Sequence, residues 1–247
     1  MNRLRVCRLS CRTTRALLLR VLLAFFSLGY AGAQSLAGVE PSLGIKVRVY
    51  NYADASHPTL AKAEEEASRI FRVAGLALEW LDCPTSHAVE EKYPACAAAL
   101  GALAVDLRIL PSSMAARIGS SGEQLGLALL SSRPGSATDA WVYYDRAERL
   151  AETEVASCDQ ILGLAMAHEI GHLLLGPDSH SHGGIMRANW DRKFLEEASR
   201  GQLLFTRDQA RLIRADVQQR LAISEAGATR YAFGIPNQQP AGSPRTF

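Results

Sequence analysis

The chain has 247 residues, 48% of them hydrophobic and 21% charged, with 19 glycines and 10 prolines. That composition can bury a core and excludes a wholly disordered chain, and the length suits one catalytic-size domain with short ends. The formal charge of +2 hides a split: six arginines (Arg3, Arg5, Arg8, Arg12, Arg15, Arg20) crowd the first 33 positions without an acid, leaving 21 basic against 25 acidic residues beyond them. The acidic remainder excludes a basic nucleic-acid footprint, and no apolar run reaches the roughly 18 residues of a lipid-spanning helix.

Residues 1–33 are built like a secretory signal: a basic part to Arg20, an apolar part over 21–30, and Ala31-Gly32-Ala33 at the cleavage position. The mature chain is then expected to start at Gln34, in the periplasm or outside the cell, with no membrane attachment after cleavage. Cys7 and Cys11 leave with the signal. Cys83, Cys96 and Cys158 remain in an oxidising compartment. Cys83 and Cys96 flank a polar, proline-containing loop, and their pairing is the expected disulfide. Closing a loop of that size contributes about 3 kcal/mol in the chain-entropy account. Cys158 is left as a small buried hydrophobe at a helix start.

Along the mature chain, a short leader over 34–43 precedes alternation at Ile45, Val47 and Val49, which predicts a strand. Pro58 suits a first helical position, and Leu60, Ala63, Ala67, Ile70 and Ala74 recur at helical spacing up to Gly75. Leu76, Leu78 and Trp80 mark a second strand, and Val105, Leu107 and Ile109 a third. Residues 125–130 and 140–144 supply a fourth and fifth, joined by a Ser/Gly/Pro-rich loop. A long apolar helix follows over about 158–175, with Ser157 and Gln160 as a capping box and Gly176-Pro177 as its stop. Thr206 and Gln209 repeat the capping signature before a last helix, whose Ile213, Val217 and Leu221 share a face. From Gly227 a Gly/Pro/Gln-rich tail is expected to be flexible. The domain expected over 34–226 is a small α/β sheet domain.

The chemistry lies in His168-Glu169-Ile170-Gly171-His172, inside the apolar helix. Residues four apart share a helix face, with Cβ atoms about 5–6 Å apart, so two imidazoles at this spacing can bind one zinc ion. Glu169, one step round, can reach a metal-held water without being a ligand. Glu169 is also the only formally charged residue between Gln160 and Pro177, and four of the six histidines fall within 168–182. A lone carboxylate among Leu, Ile and Ala costs several kcal/mol unless something compensates it. A metal site compensates it, whereas an ordinary core helix does not. A third ligand must come from beyond Gly176; His180 is favoured, Asp178 is the alternative, and His182 is expected behind the ligands or at the surface. Glu196 and Glu197 are the candidates if the chain is a zinc hydrolase of another clan.

His168-Glu169-x-x-His172, a glycine, a third ligand soon after, and Gly184-Ile185-Met186 together resemble the metzincin clan of zinc endopeptidases. The wording from His168 to Met186 is also similar to bacterial exported proteins carrying His-Glu-Ile-Gly-His-Leu-Leu-Leu-Gly. The match is specific over 168–186, under a tenth of the chain. The resemblance implies a single domain with a five-stranded, mostly parallel, twisted sheet, an active-site helix, a Met-containing turn below the metal and a C-terminal helix. It also implies zinc as cofactor, Glu169 as general base, and a peptide or protein substrate laid along edge strand 125–130. A monomer is expected. Two positions depart from the clan pattern: Leu175 and Asp178 stand where it has glycine and the third histidine, so His180 binds only if the loop is longer. The rival reading is a non-catalytic exported protein in which zinc, or a remnant of its site, holds the C-terminal half together.

Overall fold

The structure is a computed structural model, and it describes residues 43–86, 92–99, 101–120, 122, 124–130, 139–153 and 155–232. The expected signal, the leader up to residue 42 and the loop 131–138 lie outside these residues. All described elements belong to one compact unit, Ser42–Phe247.

Alternation makes the first strand. In β1 (Gly44–Asn51) Ile45, Val47 and Val49 are all at most 2% exposed and face the main core. Ser56 caps helix α1 (His57–Val73) by accepting the Thr59 N–H, and a proline fills the first turn, where an amide hydrogen has no helical partner. Leu60, Ala63, Ala67, Ile70 and Phe71 form the buried stripe of α1. Next come β2 (Ala77–Cys83), the single turn α2 (Pro94–Ala97), β3 (Ala104–Leu110), α3 (Ser112–Arg117), β4 (Gly126–Leu129) and β5 (Asp139–Tyr143). Helices α4 (Tyr144–Ala151), α5 (Cys158–Leu175), α6 (Arg192–Ser199) and α7 (Arg207–Ala232) complete the chain.

The five strands form one sheet in the order β2-β1-β3-β5-β4. The first three pairings are parallel, while β4 runs antiparallel to β5 at the edge. The protein is therefore an α/β domain with a five-stranded, mostly parallel sheet, an internal helix α5 and a C-terminal helix α7. Apolar residues of β1, β3 and β5 pack with those of α1 and α5 in one continuous core. Gly163 lets the two helices approach: a Cβ there would stand 2.5 Å from the Ala63 carbonyl oxygen.

The opposite face of the sheet is polar and ionic. Arg48 on β1 is buried, yet it donates to Asp106 (2.7 Å) and to the Cys96 and Ala98 carbonyls (2.7 Å each). Those carbonyls belong to the loop stapled by a disulfide between Cys83 and Cys96, the pairing expected from sequence. Cys158 is the free cysteine among the described residues; it is half-buried at the first position of α5.

Helices α2, α3, α4 and α6 are not anticipated by the hydrophobic pattern. The first three are short and follow directly on a proline or a strand, so periodicity has too few turns to register. Helix α6 is capped by Asp191, whose carboxylate accepts the Phe194 N–H. The last helix also continues past Gly227 to Ala232, where a flexible tail is expected, because one glycine weakens a helix without ending it. The remainder of that tail lies outside the described residues. No described helix is long and apolar enough to cross a membrane.

Candidate metal centre

Helix α5 is apolar all round, and every side chain from Ile161 to Leu174 is buried, so it runs through the interior rather than over it. Its start is a capping box, in which the Ser157 N–H donates to Gln160 Oε1 at 3.4 Å. Its end is Gly176, with φ 95°, a conformation that favours glycine. His168, Glu169 and His172 thus lie in the buried body of α5, at 7%, 6% and 8% exposure.

The loop after α5 returns beneath the helix. Gly184 has φ 74°, and a Cβ on it would stand 2.4 Å from the Leu204 carbonyl oxygen. Ile185 N–H then donates to that same carbonyl, at 2.9 Å. Ile185 and Met186 are fully buried. Gly171 provides the space for this turn, since a Cβ there would meet Met186 Sδ at 2.7 Å and Phe205 Cε1 at 2.9 Å. Gly184 thus lets the turn approach Leu204, and Gly171 lets Met186 and Phe205 approach α5.

Three imidazoles converge. His172 Nε2 lies 3.1 Å from His168 Nε2 and 3.1 Å from His180 Nε2. His168 Nδ1 is 2.9 Å from the Ile185 carbonyl, which can only accept, so Nδ1 carries the hydrogen and Nε2 the lone pair. His172 Nδ1 faces Ser179 Oγ at 2.9 Å and the Gly176 carbonyl at 3.4 Å, which assigns the same tautomer. Bare Nε2 atoms facing one another at this distance repel and have no hydrogen to share. A cation between them removes the conflict. A tetrahedral zinc with bonds of about 2.0–2.1 Å sets nitrogen ligands roughly 3.3 Å apart, close to the spacing found here. The donor set therefore fits a metal ion, and His168, His172 and His180 form the group that could hold one. Burial lowers the His168 imidazole to about 4 and also lowers His172, which favours the neutral, ligating form.

Glu169 follows His168 on the same helix. Its carboxylate lies against the edge strand, where a Cβ on Gly126 would be 2.6 Å from Oε1. Burial pushes this carboxyl up to about 8, and no hydrogen bond or ion pair reaches it among the described residues.

Of the residues weighed from sequence, Asp178 and His182 are exposed and stand outside the imidazole group. Glu196 pairs with Arg192 at 3.1 Å and Glu197 with Arg187 at 3.4 Å. Several neighbours carry no motif and are missed by sequence reasoning. Trp190 sets its ring edge-on to His168, at 6.0 Å between centroids, and stacks on Phe194 at 4.3 Å. Ser179 and Gly126 touch the site only through the fold; the single available signal is that Ser179 sits beside His180.

No protein-family model matches the chain, and no curated protein does. Among solved structures it is similar to the archaemetzincin of Methanopyrus kandleri, at 11% identity and a TM-score of 0.39, over 73% of this chain and 99% of that one. At that level of likeness, the fold statement rests on this chain's own sheet and helices, and the site on its own atoms.

Proposed function

We propose that the protein is an exported zinc-dependent endopeptidase. The observation that carries the reading is the convergence of three imidazole Nε2 atoms, those of His168 and His172 left without hydrogen by their Nδ1 contacts, on a helix that also carries a buried carboxylate facing an edge strand. His168, His172 and His180 would hold zinc through Nε2. When bound, zinc supplies a Lewis acid that polarises a peptide carbonyl and makes water acidic enough to react near neutral pH.

The remaining work belongs to the chain. Glu169 Oε1 or Oε2 takes a proton from the attacking water and returns it to the leaving amine nitrogen. Strand β4 pairs with β5 on one side, and no strand covers its outer side among the described residues. Its backbone can accept an extended peptide as an added strand, aligned past Gly126 and hence past Glu169. The Cys83–Cys96 disulfide supports export, since such bonds persist in oxidising compartments.

The test is metal analysis of the purified protein with a mixed-peptide cleavage assay, with and without chelator. About one zinc per chain and chelator-sensitive cleavage are expected. Glu169→Gln should keep the zinc and lose cleavage by at least about 10²-fold. Equal cleavage by that variant overturns the role of Glu169. Zinc that raises the melting temperature without any cleavage leaves a structural site instead.

A further inference from the structure

His180 is exposed and lies on an irregular loop, yet its Nε2 is held 3.1 Å from that of a buried histidine. Ordering loop backbone costs conformational entropy, so something must hold this segment. Both neighbours of His180 are tied to the first turn of α7. Gln209, on α7, is 8% exposed, and its Nε2 donates to Ser181 Oγ at 3.0 Å and to the Ser179 carbonyl at 3.4 Å. The same side chain uses Oε1 to accept the Thr206 N–H at 2.9 Å, while Gln209 N–H donates to Thr206 Oγ1 at 3.3 Å. One amide thus caps α7 with its oxygen and grips the His180 loop with its nitrogen. Ser181 passes the restraint on, donating its N–H to the Met186 carbonyl at 2.8 Å and its Oγ–H to Gly183 at 2.8 Å.

Ser179 acts on the other ligand. Its hydroxyl donates to the Gly176 carbonyl at 2.8 Å, which uses its one hydrogen. Toward His172 Nδ1, 2.9 Å away, it can then only accept. The hydrogen of the His172 ring is thereby kept on Nδ1, and Nε2 is left turned toward the other two imidazoles.

We propose that Gln209 and Ser179 are positioning residues of the metal centre, Gln209 clamping the His180 loop to the N-terminus of α7 and Ser179 fixing the ring of His172. The inference rests on the proposed metal site and adds the residues that preorganise it. Groups of this kind typically contribute 10- to 100-fold in metal affinity.

The experiment measures zinc affinity by competition with a fluorescent chelator, alongside the melting temperature of the metal-free protein. Ser179→Ala and Gln209→Glu are each expected to weaken zinc binding about 10- to 100-fold. Ser179→Thr, which keeps the hydroxyl, should restore binding. Gln209→Glu keeps an oxygen for the Thr206 N–H and exchanges the donor for a negative charge, which the N-terminus of α7 favours, so the metal-free melting temperature should stay near that of the wild type. Wild-type affinity in both variants overturns the proposal, as does a lowered melting temperature with unchanged affinity, which would reduce Gln209 to a helix cap. His168→Ala separates the two levels. If the wild type binds no zinc, or His168→Ala binds as tightly, the metal reading falls and this inference with it. If zinc binding needs His168 but is indifferent to Ser179 and Gln209, the positioning roles alone fall.

Discussion

A Cβ on Gly126 would fall 2.5 Å from Glu169 Cγ, 2.6 Å from its Oε1 and 2.6 Å from the Trp141 carbonyl oxygen. The Trp141 carbonyl is backbone and cannot give, so an added methyl group must displace β4 from β5 as well as push the carboxylate aside. Gly126→Ala is therefore expected to retain zinc while losing most cleavage, since a shift of about 1 Å at a reacting group can cost 10²-fold. Paired zinc and peptidase measurements check this, and unimpaired cleavage counts against Glu169 working from this place. Gly171 tests packing instead. A Cβ there meets Met186 Sδ at 2.7 Å and Phe205 Cε1 at 2.9 Å. Overpacking of this kind costs typically about 1–3 kcal/mol, so Gly171→Ala should lower the melting temperature even without metal. The five-residue motif names two histidines and a glutamate from spacing alone. It says nothing of Gly126, more than forty positions away, because that contact exists only once β4 reaches the sheet edge.

Among the elements, α1 carries a carboxylate that its amphipathic pattern does not explain. Glu64 Oε1 is buried without a hydrogen-bond partner. Burial first, and the Asp82 carboxylate second, push this group up to about 7 from its ordinary 4.5. The folded chain then holds the proton more tightly than the unfolded chain. Its contribution to stability is complete below about 4.5 and is lost as the pH rises through about 7. Glu64→Gln should consequently raise the melting temperature at pH 8 and leave it nearly unchanged at pH 4. The gain is about 1 kcal/mol, after discounting for the half-exposed side chain. Thermal unfolding across this range decides it; a stabilisation that is the same at both ends removes the titration as its cause. For α5 the outcome was already written in composition. A sequence apolar but for His168, Glu169 and His172, bounded by Ser157/Gln160 and Gly176-Pro177, predicts a buried helix, and the boundaries agree at Cys158–Leu175.

Across the whole molecule, the disulfide and the Glu169 carboxylate lie at opposite edges of the sheet. Cys83 ends β2 at one edge, and Glu169 lies against β4 at the other. Replacing Cys83 and Cys96 by Ser should cost about 3 kcal/mol of stability, part of it through the loop whose carbonyls satisfy Arg48. Zinc affinity per folded molecule should not change. A joint loss of stability and zinc binding would show the two edges to be coupled.

Local chemistry was enough to locate the helices that begin with capping boxes, the alternating strands, the disulfide pair and the two histidines on α5. Each depends on residues close in sequence, where helix and strand geometry set distances directly. Strand order, the contact of β4 with Glu169, and the reach of Gln209 to Ser179 and Ser181 came only with the folded chain, while the choice of His180 over Asp178 was an expectation that only the fold could give a geometry. These join segments thirty to nearly sixty residues apart, and the bend after Gly176 that brings His180 back is followed by Ile185 and Met186, which pack in the core with α5 and Phe205. Spacing along the chain carries no measure of that packing.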